Sequence, residues 1–324
     1  MMMWINILLI PVIAFIAIVV GLLYAGIDRV LAARMQERVG PPLTQPFLDV
    51  YKLLIKQNII PGKSVKWLFN SMPVVCLAST LIILFYLPFG GFDPLLGDNG
   101  DLILVLYLLI VPALAMVIAG LSSGSPYASV GAQRKMIMMM SYEFPLAITV
   151  VSIAWLLTTS EIPDPFSLQA VTGNPVWGLV GPLGLLGLIL QLLVLLFVTP
   201  GELGRIPFDV SEASQEIAGG VLVEYSGRNL ALFYLANAVK AVVFVSVIIA
   251  LFFPYGLGVT GWAGILADSL LFFIKLFLLL FVGSTFIRVA MSRFRITQVV
   301  YVYWIPSVLV SLTGLLLMLV DTLL

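Results

Sequence analysis

Histidine is absent from this sequence, and cysteine occurs once, at Cys76. These two absences remove the usual ligands of zinc, of haem and of Cys-held iron-sulfur clusters, and they leave no partner for a disulfide within the chain. Charge is scarce as well: Asp, Glu, Lys and Arg make up 10% of the 324 residues, 16 acidic against 16 basic, for a net of zero. A soluble surface needs roughly a quarter of its residues charged, so a water-exposed globule is excluded, and the even balance gives no reason to expect nucleic acid as a partner. What the chain does have is apolar residues, at 61%, with a mean hydropathy of +1.15. It reads as a membrane protein. The N-terminus, MMMWINILLIP, lacks the basic region of a cleaved signal, and its apolar run continues too far for one, so it reads as the first span.

About 20 apolar residues suffice to cross the hydrocarbon core as a helix. Eight such stretches are present: Ile5 to Ile27, Met72 to Phe89, Leu102 to Leu121, Glu143 to Thr159, Trp177 to Val198, Leu230 to Phe253, Leu270 to Ile287 and Val299 to Val320. Short cytoplasmic loops collect Lys and Arg, and 14 of the 16 basic residues fall in alternate loops, at about 28–71, 122–142, 199–229 and 288–298. The loops between these hold none, while Lys240 and Lys275 lie inside spans. The basic loops are therefore expected in the cytoplasm, with both termini outside, in a multi-pass protein of the cell membrane. The expected fold is an all-α integral membrane protein, a single domain over 1–324. It is a bundle of about eight transmembrane helices with amphipathic helices in its cytoplasmic loops. The outer loops, such as GGFDPLLGDNGD, read as Gly, Pro, Asp and Asn turns.

Chemistry is concentrated on the basic side. The loop TPGELGRIPFDVSEASQEIAGGVLVEYSGR holds Glu202, Asp209, Glu212, Glu216 and Glu224. Asp209, Glu212 and Glu216 are spaced i, i+3, i+7, which puts them on one face of a helix beginning near Ser211. Crowded carboxylates beside an apolar core raise one another's proton affinity and suit proton passage; the plainer reading is a solvated row paired with Arg205 and Arg228. Glu143 stands where the fourth span begins, either as a functional carboxylate or as an anion favoured by the helix N-terminus. Lys240 and Lys275 sit near the middles of their spans at a cost of about 2.5 kcal/mol or more each, so they are expected to face the bundle interior and find carboxylates or carbonyls, as an ion relay requires. Lipid snorkelling is the alternative. In the first basic loop Phe47, Val50, Tyr51, Leu54 and Ile55 recur at helical spacing opposite Asp49, Lys52 and Lys56, so the segment is expected to lie on the membrane face, touching anionic lipid or a partner. Gly178, Gly181, Gly184 and Gly187 read as close helix packing.

Four segments, QERVGPPLTQPFLDVYKLLIKQNIIP, GLSSGSPYASVGAQRKMIMMMSYEFPLAI, ELGRIPFDVSEASQEIAGGVLVEYSG and FIRVAMSRFRITQ, resemble in order the H-type membrane subunit of respiratory complex I and of the related membrane-bound nickel-iron hydrogenases. The resemblance implies an anchor for a peripheral electron-transfer arm that couples redox chemistry to proton or sodium movement. Glu202, Asp209, Glu212 and Glu216 would then begin a proton path that Glu224 and Glu143 continue, with Arg205 tuning it. Arg29, Arg34, Arg38, Asp49, Lys52, Arg134, Arg293 and Arg295 would face the peripheral subunits or the redox cavity. The chain would carry no cofactor of its own. The nickel-iron centre and iron-sulfur clusters would belong to hydrogenase-like large and small subunits and other peripheral iron-sulfur subunits, with antiporter-like membrane subunits and the lipid bilayer as further neighbours.

Departures bear on the branch. GPPLTQP is shorter than the corresponding segment of the quinone-reducing enzymes, Gly201, Glu202, Leu203, Gly204 and Arg205 stand where those tend to have Ala-Glu-Thr-Asn-Arg, and Gln57 and Thr297 occupy positions that are commonly acidic. These differences favour the hydrogenase-like branch, including its sulfur-reducing relatives, over a quinone-site subunit of complex I. A stand-alone secondary transporter is a third reading, for which paired broken spans and internal symmetry would be expected and neither is clear in the sequence.

Overall fold

The computed structural model describes residues 2–90, 92, 94–96, 100–257 and 261–323. Parts of the expected outer turns, including Gly91, Asp93 and residues 97–99, and the two ends of the 1–324 domain, Met1 and Leu324, lie outside them. Among the described residues, eight helices are long and apolar enough to cross a membrane, as expected. In chain order the elements are α1 (Met2–Met35), α2 (Gln45–Ile55), α3 (Lys66–Leu84), α4 (Leu102–Ser122), α5 (Pro126–Thr159), α6 (Leu168–Gly173), α7 (Pro182–Glu202), α8 (Ser214–Ile217) and α9 (Gly227–Phe252). Then α10 (Trp262–Leu280) runs through a π-helical turn, Phe281–Phe286, into α11 (Ile287–Ala290). A second π turn, Tyr303–Ser307, joins α12 (Ile296–Val302) to α13 (Val308–Leu323). Among the described residues there is no strand, only isolated bridges such as Asp101 with Ser167.

The bundle is built around α9. Its most apolar window is 89% buried, against 22–56% for the other seven spans, so α9 is the one surrounded on all sides. Its Ala, Val, Ile and Phe residues pack against α1, α3, α7 and α10. Small residues permit the close approaches that membrane bundles rely on in place of hydrophobic drive. A side chain at Gly21 of α1 would overlap the Ala238 carbonyl of α9, and one at Gly187 of α7 would lie 2.6 Å from the Gly314 carbonyl of α13. Gly181 and Gly184 pack against Asp321, whose carboxylate accepts the Gly181 N–H at 2.6 Å, whereas Gly178 has open space and no packing role.

The fourth span departs from expectation. It begins at Pro126 rather than Glu143 and runs 34 residues, so the expected loop at 122–142 shrinks to the turn at 123–125. Gly124, with φ +71°, makes that turn, since a side chain there would meet the Lys63 carbonyl at 2.9 Å. Proline at the first helical position then starts α5. Arg134 and Lys135 marked a loop in the hydropathy pattern, but both are helical: Arg134 pairs with Glu216 from the segment after α7, and Lys135 makes no ion pair among the described residues. The short α2 packs on α1 and α9 with Val50 buried, leaving Tyr51, Leu54 and Ile55 exposed.

Candidate ion-transfer site

Glu202 is the last residue of α7, and Lys240 lies about 20 Å along α9 from its start at the helical rise of 1.5 Å per residue. Their side chains are 2% and 3% exposed, and Lys240 Nζ stands 2.6 Å from Glu202 Oε1. Each charge alone would be several kcal/mol out of place in such surroundings, and together they are tolerated. Tyr142, Phe208 and Tyr303 close the site from the sides, with Phe208 and Tyr303 ring centroids 4.7 Å apart. Gly201 is required here because any side chain would overlap the Tyr303 hydroxyl. Tyr303 itself is delivered by the π turn, and π turns often mark functional positions.

Glu143 lies mid-helix in α5, half-buried, so it does not cap a helix start. Its Oε1 is buried without a hydrogen-bond partner, as is the Tyr142 hydroxyl. It shares with Glu202 a cavity of about 220 Å³ that is otherwise apolar, walled by Leu106, Leu109, Ile110 and Leu146 among others. Glu143 is within electrostatic reach of both Glu202 and Lys240.

The acidic loop is not the expected helix face. Helix α8 covers only Ser214–Ile217, and Ala218, Gly219 and Gly220 follow with φ of 53°, 103° and 56°, a left-handed run no right-handed helix can continue through. Each carboxylate instead goes its own way. Asp209 takes a two-pronged hydrogen bond from Arg293, at 2.8 Å from Nε and 2.5 Å from Nη2, the geometry that makes arginine pairs strong. That bond raises the already high pKa of Arg293. Glu216 pairs with Arg134 at 2.5 Å, in a partly exposed bridge. Glu212 points inward. Burial pushes its carboxyl above the ordinary range, Lys135 opposes the shift and Asp209 adds to it.

Arg205 makes no ion pair with the acidic row among the described residues. It turns to Asp28 of α1, a buried carboxylate that the hydropathy pattern did not single out. Asp28 is 3% exposed and lies 2.6 Å from Arg288 Nη1 and 3.3 Å from Arg205 Nη1, while Thr285 Oγ1 donates to it at 2.7 Å. Tyr24 bonds Thr285 and the Leu280 carbonyl, both at 2.9 Å, and the Arg205 guanidinium stacks over its ring at 5.1 Å. The π turn before α11 supplies Ser284 and Thr285 to this cluster. The rule applied to Glu143, that a carboxylate beside hydrocarbon must find a partner, would have singled out Asp28 too.

Next to this cluster opens a cavity of about 610 Å³ on the side of the basic loops. Asp28, Arg29, Asp49, Lys52, Arg205, Asp209 and Glu212 are on its wall. Arg29 pairs with Asp49 at 2.9 Å and so ties α1 to α2. Burial opposes ionisation of Asp49, but hydrogen bonds from Arg29 and Gln45 outweigh it and hold the carboxyl below its usual value. Of the remaining predicted residues, Arg34, Arg38, Lys52 and Arg295 are exposed, Arg38 bonding Gln36. Glu224 is half-buried without an ion pair among the described residues. Lys275 is not brought to the site. Its ammonium donates to the Phe253 and Tyr255 carbonyls, at 2.9 and 2.5 Å, beyond the far end of α9, where the helix leaves carbonyls free.

Residues 7–319 match the family model described as NADH dehydrogenase. The chain belongs to the NADH dehydrogenase family of the complex I superfamily. It is 33% identical over 300 residues to hydrogenase-4 component C of Escherichia coli, covering 92% of each chain. It is 31% identical to the H-type subunit of the NADH-quinone oxidoreductase of Dehalococcoides mccartyi, over 93% of this chain and 82% of that one. A solved membrane-bound sulfane sulfur reductase, an archaeal respiratory membrane complex, contains a chain that superposes with a TM-score of 0.84 at 26% identity, over 97% of this chain and 99% of that one. The chain is thus an all-α, multi-pass membrane member of this family, with hydrogenase-type, sulfur-reducing and quinone-reducing relatives.

Proposed function

We propose that this chain is the membrane anchor and energy-coupling subunit of a hydrogenase-like complex, hydrogen-evolving or sulfur-reducing. It would link electron transfer in a peripheral arm to ion translocation in the membrane. The observation that carries the reading is the arrangement of charge. A cavity on the basic side, walled by Asp209 and Glu212, lies close to the buried Lys240–Glu202 pair, and beyond that pair is the small cavity holding Glu143. Such a series of buried, mutually coupled groups can hold and pass a proton. The chain has no His, and its one Cys is buried, a donor set that fits neither a nickel-iron centre nor an iron-sulfur cluster. These groups, on this reading, reside in the peripheral hydrogenase-like subunits, which the cavity and the exposed Arg34, Arg38, Lys52 and Arg295 face from the cytoplasm. Antiporter-like membrane subunits would carry the translocation onward.

Length supports the branch. The chain spans 92% of hydrogenase-4 component C and 99% of the sulfur reductase chain, but 82% of the relative from the quinone enzyme. The experiment is to isolate the intact complex through this subunit and supply a low-potential electron donor. Hydrogen or sulfide production, unaffected by quinone-site inhibitors, is the expected result. Quinone reduction that such inhibitors block would instead make the 610 Å³ cavity a quinone chamber.

A further inference from the structure

Lys135 of α5 carries no signal in the sequence beyond its charge, yet it is one of the most secluded charges in the molecule. It is 2% exposed and makes no hydrogen bond or ion pair among the described residues. An ammonium with three donors unused is costly in such a place unless water or a labile partner serves it. The titratable groups around it are Lys240, Glu212, Glu202 and, as the remaining neighbour, the buried Cys76. It is therefore within electrostatic reach of both the carboxylate on the wall of the large cavity and the buried pair.

Gly204 fixes the geometry of the gap. It lies on the cavity wall with φ +61°, and a Cβ built there would be 3.3 Å from Lys135 Nζ and 3.9 Å from Glu212 Oε1. The two atoms are then within about 7 Å of each other, yet not close enough to form a direct ion pair. A single bridging water, whose two hydrogen bonds of about 2.8 Å together span up to about 5.6 Å, fits the lower part of that interval, and the absent side chain of Gly204 leaves room beside it. A buried water with polar partners on two sides is a regular structural component.

We propose that Lys135 is a proton-transfer group joining Glu212 at the cavity to the Lys240–Glu202 pair through a water seated beside Gly204. The neutral amine of Lys135 takes a proton from the water while the water takes one from the Glu212 carboxyl, leaving a Glu212 carboxylate and a Lys135 ammonium. The ammonium then gives a proton, through intervening water, to the Glu202 carboxylate and returns to the amine, and Lys240 loses its counter-ion. One proton has moved from the cavity edge to the buried pair, which is the charge change a coupling subunit needs. The inference rests on the energy-coupling function proposed above.

The test uses the intact complex in sealed liposomes and reads protons moved per electron transferred, with co-purification of all subunits checked first. Lys135→Met removes the relay, and Lys135→Arg keeps the positive charge but cannot release a proton. Both are expected to lower the ratio about tenfold or more, the scale of a lost proton-transfer group. A normal ratio in Lys135→Arg overturns the relay and leaves Lys135 an electrostatic group. A normal ratio in Lys135→Met overturns any role. If Met does not assemble, Lys135→Gln is read by the same rule. Glu143→Gln and Glu202→Gln run in parallel: if these also transport normally, the coupling path itself fails, whereas their loss beside an active Lys135→Met removes Lys135 alone.

Discussion

Two carboxylates beside the apolar core, the buried Asp28 and the half-buried Glu143, are treated in opposite ways. Asp28 is saturated, with Arg288, Arg205 and Thr285 on its two oxygens and Tyr24 fixing Thr285. Glu143 has one oxygen buried with no partner, next to a Tyr142 hydroxyl in the same condition. A carboxylate held by several charge-assisted bonds locks the elements that supply them, here α1, the segment after α7 and the π turn before α11. One left short of partners changes protonation state at low energetic cost when a neighbouring charge changes. The first arrangement makes a clamp, and the second is what a transfer site requires. The Lys240–Glu202 pair is fully buried but has a single ion-pair contact.

Substitutions can break this contrast, from the largest expected effect down. Lys240→Met leaves Glu202 as an uncompensated buried anion and is expected to destabilise the complex by about 3–5 kcal/mol. Adding Glu202→Gln should restore most of that loss in thermal melts of the purified complex, although not transport. Asp28→Asn should cost about 2–3 kcal/mol by loosening the clamp, seen as faster subunit loss in detergent. Glu143→Gln, by contrast, should change stability by no more than about 1 kcal/mol while abolishing transport. Equal melting losses at positions 28 and 143 would erase the distinction. Smallest is Asp49→Asn, whose bridge to Arg29 is more than a third exposed on both sides, for a change of about 0.5 kcal/mol.

Glu212 adds a pH signature. Its folded pKa lies above the ordinary 4.5 because of burial. The folded chain therefore keeps a proton that the unfolded chain has lost, so stability declines as pH rises from about 4.5 through the folded value. Melting curves across that range should show the decline, and Glu212→Gln should flatten part of it.

Much of this was legible in the sequence, and the failures share a cause. The eight spans follow from hydropathy, because apolar length alone decides whether a helix crosses. Glu202, Lys240 and Glu143 were also readable, since charge inside an apolar run demands an explanation. What misled was the assumption that charge marks a loop. Arg134 and Lys135 sit inside α5 because the carboxylates they face, Glu216 in an ion pair and Glu212 at longer range, come from far along the chain, and spacing along one segment carries no information about such neighbours. The same limit hid Asp28, whose two arginines lie 177 and 260 residues away. The acidic row failed at both ends: Ala213 is extended, so the helix begins only at Ser214, after Asp209 and Glu212, and the left-handed run at Ala218, Gly219 and Gly220 ends it, the second of these being visible in the glycines.

During turnover Glu143 is expected to change protonation and Asp28 is not. Infrared difference spectroscopy of the intact complex, reduced and reoxidised, reads this directly through the carboxyl C=O stretch. A turnover-linked carboxyl band that disappears in Glu143→Gln and survives in Asp28→Asn is the result expected. A band that survives in Glu143→Gln and is lost in Asp28→Asn, or no such band at all, would contradict it.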